Sequence, residues 1–295
     1  MELINNRYKI EKALRSNSYG SIYKVIDFWN NDKKLLMKIY DLDHQGSLIE
    51  YFTHNFIHIS KIKHENMLTS DEFNIIETID RRKVGIRQYY STMEYIDKPS
   101  LDKVYRDLDS IERLNIILQV SRVLDFLHYR GIVYRHLSPS NIFLLENGTI
   151  KIRDLSTIYE NIIDIDYDNI TGYFIAPEIL LENKDIKDKN VDKYSLGMLI
   201  MFLLTKDFYR GDNGRFRYID DLKLNREQIE FLDNTISNLI RREPLAREGA
   251  IENIIHDINE LFNMNYEYSL EEERGKLNFK TKIVGREKEI KRILK

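Results

Sequence analysis

Apolar and polar positions alternate through the first part of the chain and change period near Tyr95. Tyr8-Lys9-Ile10 alternates toward a turn at Ser16-Asn17-Ser18, and Ile22-Tyr23-Lys24-Val25 resumes the pattern. A period of two puts successive side chains on opposite faces of a strand, so these segments predict paired strands. Lys34–Tyr40 predicts a third, entered through the turn Asn30-Asn31-Asp32. Ile49, Phe52, Phe56 and Ile59 then recur at three- and four-residue intervals, one face of a helix from about Leu48 to Lys61. Two more strands are expected near Glu72–Ile76 and Val84–Met93, joined by the charged turn Asp80-Arg81-Arg82-Lys83.

Beyond Tyr95 the helical period dominates. Ile111, Leu114, Ile117, Val120, Val123, Leu124 and Leu127 mark a long amphipathic helix. Ile132–Ile152 reads as a short strand-rich segment, and Leu155 to about Ala176 as a loop without periodicity. Helices are expected again at Val191–Thr205, Glu227–Arg241 and Glu248–Phe262. The pattern predicts an α+β protein with a small antiparallel sheet and one helix, followed by a larger helical part.

Composition narrows the classes of function. A chain of 295 residues exceeds what one compact core usually holds, so two lobes or domains are expected. The net charge of -3 is near balance and the Lys and Arg residues are scattered, which argues against a nucleic-acid footprint. There is no cysteine, so disulfides, thiolate nucleophiles and Cys-ligated metals are excluded, and a reducing cytoplasm is the expected location. The apolar run Leu196–Leu204 is too short to span a bilayer and reads as a buried helix, so no membrane partner is expected. His54 and His58 share a helix face but have no evident third ligand, which reads as a solvated pair.

Several motifs, in order, resemble the eukaryotic-type Ser/Thr protein kinase family over about residues 7–264. Leu14-Arg15-Ser16-Asn17-Ser18-Tyr19-Gly20-Ser21-Ile22 resembles the Gly-rich loop over ATP phosphates, with Gly20 alone of its three glycines retained. Lys38 falls at the place of the lysine that holds the α- and β-phosphates. Leu36 stands where alanine is usual and, with Phe143 at the opposing floor, would tighten the adenine slot. Met93-Glu94-Tyr95-Ile96 resembles the gatekeeper and hinge, where backbone groups of Glu94 and Ile96 would read the adenine edge. The helix glutamate expected to pair with Lys38 falls at Asn55, and Glu50 lies about 140° around the helix from it.

Tyr134-Arg135-His136-Leu137-Ser138-Pro139-Ser140-Asn141 aligns without a gap to the catalytic-loop signature. Asn141 keeps a metal position, Ser138 replaces the lysine that contacts the γ-phosphate, and His136 replaces the catalytic aspartate. An imidazole can accept a proton but lacks the carboxylate's charge and is longer. Asp154-Leu155-Ser156 resembles the Asp-Phe-Gly motif, which makes Asp154 the main Mg²⁺ ligand. Ala176-Pro177-Glu178 ends the activation segment, in which Tyr159, Tyr167 and Thr171 are candidate phosphorylation sites with Arg135 as phosphate partner. Glu178 is expected to pair with Arg247, and Asp192 to bond the catalytic-loop backbone.

The resemblance implies a bilobed kinase domain over residues 1–264, with an N-lobe to 95 and a C-lobe from 96. Residues 265–281 read as a polar linker. Lys282–Ile290, containing Val284-Gly285-Arg286-Glu287, is similar to the opening of AAA/STAND-type ATPase domains, so 282–295 is expected to begin one. The implied function is a pseudokinase that binds ATP and Mg²⁺ and regulates a fused domain or a protein partner. An active Ser/Thr kinase and a nucleotide-free scaffold are the alternatives.

Overall fold

In a computed structural model of the chain, the described residues are 3–17, 20–40, 62–153, 171–182, 188–210 and 215–268. The chain divides into two compact units, Met1–Asn265 and Tyr266–Lys295, and the first carries the features below. The helix predicted at Leu48–Lys61, with Glu50, Asn55, His54 and His58, lies outside the described residues. So do Asp154, Tyr159, Tyr167 and the segment expected to open an ATPase domain.

The N-terminal part is an antiparallel sheet of six strands: β1 (Leu3–Ile4), β2 (Tyr8–Asn17), β3 (Gly20–Asp27), β4 (Lys33–Tyr40), β5 (Ser70–Ile79) and β6 (Arg82–Glu94). Their order is β1-β2-β3-β4-β6-β5, and β1 pairs with both β2 and β5, which closes the sheet into a barrel. The alternation fills the interior with Ile4, Tyr8, Val25, Leu35, Met37, Ile76 and Tyr90. Leu36 and Lys38 therefore face the other way.

β1 was not expected, because two residues carry no period. Asn5 holds it in place. Its backbone and that of Asn6 are left-handed (φ 50° and 54°), a conformation Asn tolerates. Its carboxamide accepts from the Glu77 and Thr78 N–H groups and donates to the Ile75 carbonyl, at 2.7, 3.1 and 2.8 Å. The predicted turn 80–83 is also shorter than expected. Only Asp80 and Arg81 turn, both with positive φ, and Arg82 and Lys83 already belong to β6. Two left-handed residues match the twist of the flanking strands.

A charged cluster inside the barrel satisfies its own members. Arg7 forms a two-pronged pair with Asp27 at 2.8 Å and reaches Glu72 at 2.7 Å. The Tyr8 and Tyr90 hydroxyls also donate to Glu72, at 2.8 and 3.0 Å. Burial raises the Glu72 carboxyl, but these donors and Asn74 outweigh it and hold the group below the usual range.

The second part is mainly helical: α1 (Leu101–Val104), α2 (Ser110–Tyr129), α3 (Pro177–Glu182), α4 (Asn190–Leu204), α5 (Arg226–Leu239) and α6 (Ile251–Leu261). Asp109 with Glu112, and Asn225 with Gln228, form reciprocal caps that start α2 and α5. The run Leu196–Leu204 is buried throughout, and α4 packs on α2 and α5. Gly197 permits the close approach to α5, since a Cβ there would lie 2.6 Å from the Leu239 Cβ. No helix among the described residues is long and apolar enough to cross a membrane.

Other boundaries moved for local reasons. The last helix starts at Ile251, not Glu248, because Gly249 has a left-handed backbone (φ 86°). Thr205 opens a strand, β9 (Thr205–Arg210), instead of ending a helix, and β9 pairs with β10 (Phe216–Tyr218). The segment expected to be strand-rich holds one short hairpin, β7 (Ile142–Leu144) with β8 (Ile150–Ile152).

Candidate functional site

Residues directly opposed in an antiparallel pair share a face. Lys38 on β4 opposes Ile22 on β3 and Ser91 on β6, while Leu36 opposes Lys24 and Met93. The register thus gathers Ile22, Leu36, Lys38 and Met93 on one barrel surface. Lys38 is 3% exposed, and its ammonium lies 5.0 Å from the Tyr40 ring centroid, over an aromatic face that favours a cation. Leu36 is half-buried and Met93 buried. Leu14 sits at a bulge in β2 and is exposed.

Gly20 has a structural reason of its own. It pairs with Asn17 and Tyr40, and a Cβ at this position would lie 2.0 Å from the Ile39 carbonyl oxygen. Close strand contact alone demands glycine here, apart from any phosphate.

β6 ends at Glu94, whose N–H donates to the Thr69 carbonyl at 3.1 Å and whose carboxylate lies 3.5 Å from the Lys151 ammonium. Ile96 follows in chain without regular secondary structure. Phe143, on β7, bridges to Ser100 ahead of α1, and the Arg153 guanidinium lies over its ring at 5.9 Å.

The catalytic-loop segment hangs on Asp192. This carboxylate is fully buried at the start of α4. It accepts from the Tyr134 N–H at 2.7 Å and the Arg135 N–H at 2.6 Å, and bonds the His128 Nε2 at 2.8 Å. Arg135 is thereby held in a left-handed backbone, φ 67°. The Tyr134 hydroxyl donates to the Arg153 carbonyl at 2.9 Å, immediately before Asp154. Asn141 donates its Nδ2 to the His136 carbonyl at 2.7 Å, so its oxygen is the atom that could face a metal. Ser138 is buried, and its hydroxyl bonds that of Ser140 at 2.9 Å.

His136 is the exception in this loop. Its Nε2 is sealed from solvent and has no hydrogen-bond partner among the described residues. Burial pushes the imidazole down to about 4; Arg135, Arg153 and Lys38 add repulsion, and Asp192 opposes them. The ring is neutral near pH 7.

Further out, Arg247 is almost completely buried and grips Glu178 with two bonds, at 2.5 and 2.8 Å. The same guanidinium donates to the carbonyls of Asn190 and Arg241, each at 2.8 Å. Sequence reasoning missed His128, which looks like any other residue on the packed side of α2. It also missed Asn66 and Gln119, whose carboxamides bond each other at 2.8 Å while Gln119 accepts from the Ile150 N–H at 2.9 Å, fixing the β7–β8 hairpin.

Residues 8–266 match the protein kinase domain family. The chain belongs to that family. Its antiparallel sheet and following helices fit the bilobed kinase fold. Among relatives, it is 34% identical over 217 residues to an eIF-2-alpha kinase of Schizosaccharomyces pombe, covering 62% of this chain and 14% of that protein. It is 27% identical over 290 residues to a "Probable serine/threonine-protein kinase" of Clostridium acetobutylicum, 92% of this chain and 42% of that protein. A serine/threonine-protein kinase of S. pombe, ppk23, is 26% identical over 208 residues, 68% of this chain and 50% of that protein. The chain thus spans half or less of the length of each of these relatives. Kinase domains in general use ATP and Mg²⁺. The donor set here fits such a group as far as it is described: a buried lysine on the sheet, and an Asn141 oxygen of the hard type that Mg²⁺ prefers.

Proposed function

We propose that this domain binds ATP with Mg²⁺ and transfers phosphate weakly or not at all, acting as a regulatory pseudokinase. The observation that carries the reading is the Nε2 of His136 at the base position, sealed from solvent and without a hydrogen-bond partner among the described residues. A catalytic base must stand within hydrogen-bond reach of the proton it takes, about 2.6–3.2 Å, and this nitrogen offers no open acceptor. A neutral ring also supplies no negative charge to orient a hydroxyl beside the metal. Lys38, with Ile22, Leu36, Met93, Phe143 and the hinge backbone at Glu94 and Ile96, would hold the nucleotide, and Asn141 and Asp154 the metal. The bonds from Asp192 to the loop support a scaffold kept in shape for binding. The Val284-Gly285-Arg286-Glu287 motif supports a downstream domain as the recipient of the signal.

Calorimetric titration with ATP, with and without Mg²⁺, tests the binding half. Saturable binding that Asp154→Ala weakens in the presence of Mg²⁺ is expected. Heat absent at millimolar nucleotide would instead favour the nucleotide-free scaffold, with Leu36 and Phe143 filling the slot. Radiolabelled autophosphorylation tests the other half: wild-type incorporation abolished by Asp154→Ala would identify an active kinase, a reading that the names of the relatives favour.

A further inference from the structure

The end of the barrel far from Gly20 carries a feature that nucleotide binding does not use. Leu3 opposes Lys9, and Lys9 opposes Ile26, so these three side chains form a cross-strand row on the outside of the barrel. Phe28 and Trp29 follow the last residue of β3 and are 48% and 72% exposed. Across from them the β5–β6 turn is fixed by the left-handed backbones of Asp80 and Arg81. Leu3, Lys9, Phe28, Asp80 and Arg81 together line a cleft of about 330 Å³. That volume falls at the small end of ligand clefts, which run from about 300 to 1,000 Å³.

The chemistry of the cleft is lopsided. Its walls are the apolar Leu3 and Phe28, and its rim carries Lys9 and Arg81, neither of which forms an ion pair with another described residue. Asp80 is already engaged, accepting from the Leu3 N–H at 2.8 Å. Arg82 and Lys83 continue the positive charge along β6 and, with Ile79, Asp80 and Val84, line an adjoining cleft of about 440 Å³ in which the two cations outnumber the one carboxylate. An exposed aromatic, Phe28, beside cations that pair with no other described residue is a feature of a recognition surface, not of a merely solvated one.

We propose that this cleft docks an acidic peptide segment carrying one large apolar side chain. The apolar group seats between Leu3 and Phe28, and flanking carboxylates meet Lys9, Arg81 and Arg82. A concave site suits a single protruding side chain better than a flat bilayer. The charge excess on one rim suits an acidic segment better than a second copy of the same basic rim, since like charges would then face each other.

Trp29 is the one tryptophan of the chain and directly follows the cleft residue Phe28, so its emission serves as the readout of occupancy. The probe is an N-acetylated, C-amidated decapeptide with one Phe flanked by Asp and Glu, titrated into the full chain. Saturable change in Trp29 emission is expected, weakened at least tenfold by Arg81→Glu, by Arg81→Asn, and by Phe→Ala in the peptide. Arg226→Glu, the same charge change on an exposed helix start, leaves the affinity within twofold. Arg81→Asn suits the left-handed backbone and keeps the test valid should Arg81→Glu impair folding. No saturable change up to millimolar peptide, or equal affinity of the Arg81 variants, overturns the proposal. An emission shift seen with phosphatidylserine vesicles but not with peptide overturns it in favour of a membrane surface. Concentration-dependent dimerisation in sedimentation that the peptide does not reverse overturns it in favour of a second copy. None of these outcomes depends on nucleotide binding.

Discussion

Asp192, fully buried behind the catalytic-loop segment, and the half-buried His136 within it meet opposite treatment. Asp192 receives two backbone N–H groups that fix the loop's path, and the His128 ring ties it to α2. His136 keeps a sealed nitrogen without a partner among the described residues, in the company of cations that disfavour its charged form. The carboxylate organises its surroundings, whereas the imidazole is merely accommodated by them. A fold can therefore preserve the geometry around a reaction centre after the reacting group itself has changed, because different residues carry the two tasks.

The sharpest test of that division is to restore the carboxylate. With the scaffold in place, His136→Asp is expected to raise autophosphorylation by about 100- to 10,000-fold, the usual contribution of a positioned base. A change under threefold in a radiolabel assay would mean that the scaffold, too, has lost its catalytic shape. Removing the organiser comes next. Asp192→Ala strips three donors, two of them buried and one half-buried, of their acceptor and is expected to cost about 3–5 kcal/mol in urea denaturation, since each orphaned group is expensive. A cost below about 1 kcal/mol would erase the contrast between the two sites.

The pH dependence of stability gives a smaller effect with a definite sign. The His136 pKa is depressed in the folded state to about 4, from an ordinary value of 6.5. The unfolded chain therefore takes up the proton first as pH falls. This contribution to stability is whole above pH 6.5 and is lost progressively between 6.5 and about 4. Allowing for partial exposure of the ring, the loss is on the order of 2 kcal/mol. His136→Leu removes it, and denaturation midpoints of the two proteins compared at pH 7.5 and 4.5 read the difference. At pH 7.5 that variant is expected to match the wild type within about 1 kcal/mol, because replacing an unsatisfied polar group with an apolar one is nearly neutral. Smallest of all is the exposed Lys98–Glu146 pair, where Lys98→Ala should shift stability by less than about 1 kcal/mol.

The motifs made much of the candidate site legible. Lys38, Asn141, Asp192 and the Glu178–Arg247 pair stand out because their chemistry depends on side-chain type at fixed intervals. The long helices were visible because twenty residues give several turns of period. β1, β9 and β10 were not, since segments of two to six residues carry too little pattern, and the closing of β1 onto β5 depends on the pairing of Ile4 with Ile79, far along the chain. Gly20 was legible for an incomplete reason: the loop motif pointed to phosphate, while the structure adds a strand contact that excludes any Cβ. The lack of a partner for the His136 Nε2 among the described residues could not be read at all, because it depends on which atoms do not reach it.

The short strand β1 has a consequence beyond the shape of the barrel. An open sheet exposes a row of unpaired N–H and C=O groups at each edge, and such edges recruit strands from other molecules. Here Leu3 and Ile4 cover Lys9 and Tyr8 at the start of β2 and Ile79 at the end of β5. Deleting the first six residues would uncover two sticky edges and give a protein that clumps on storage or expression long before its helices melt.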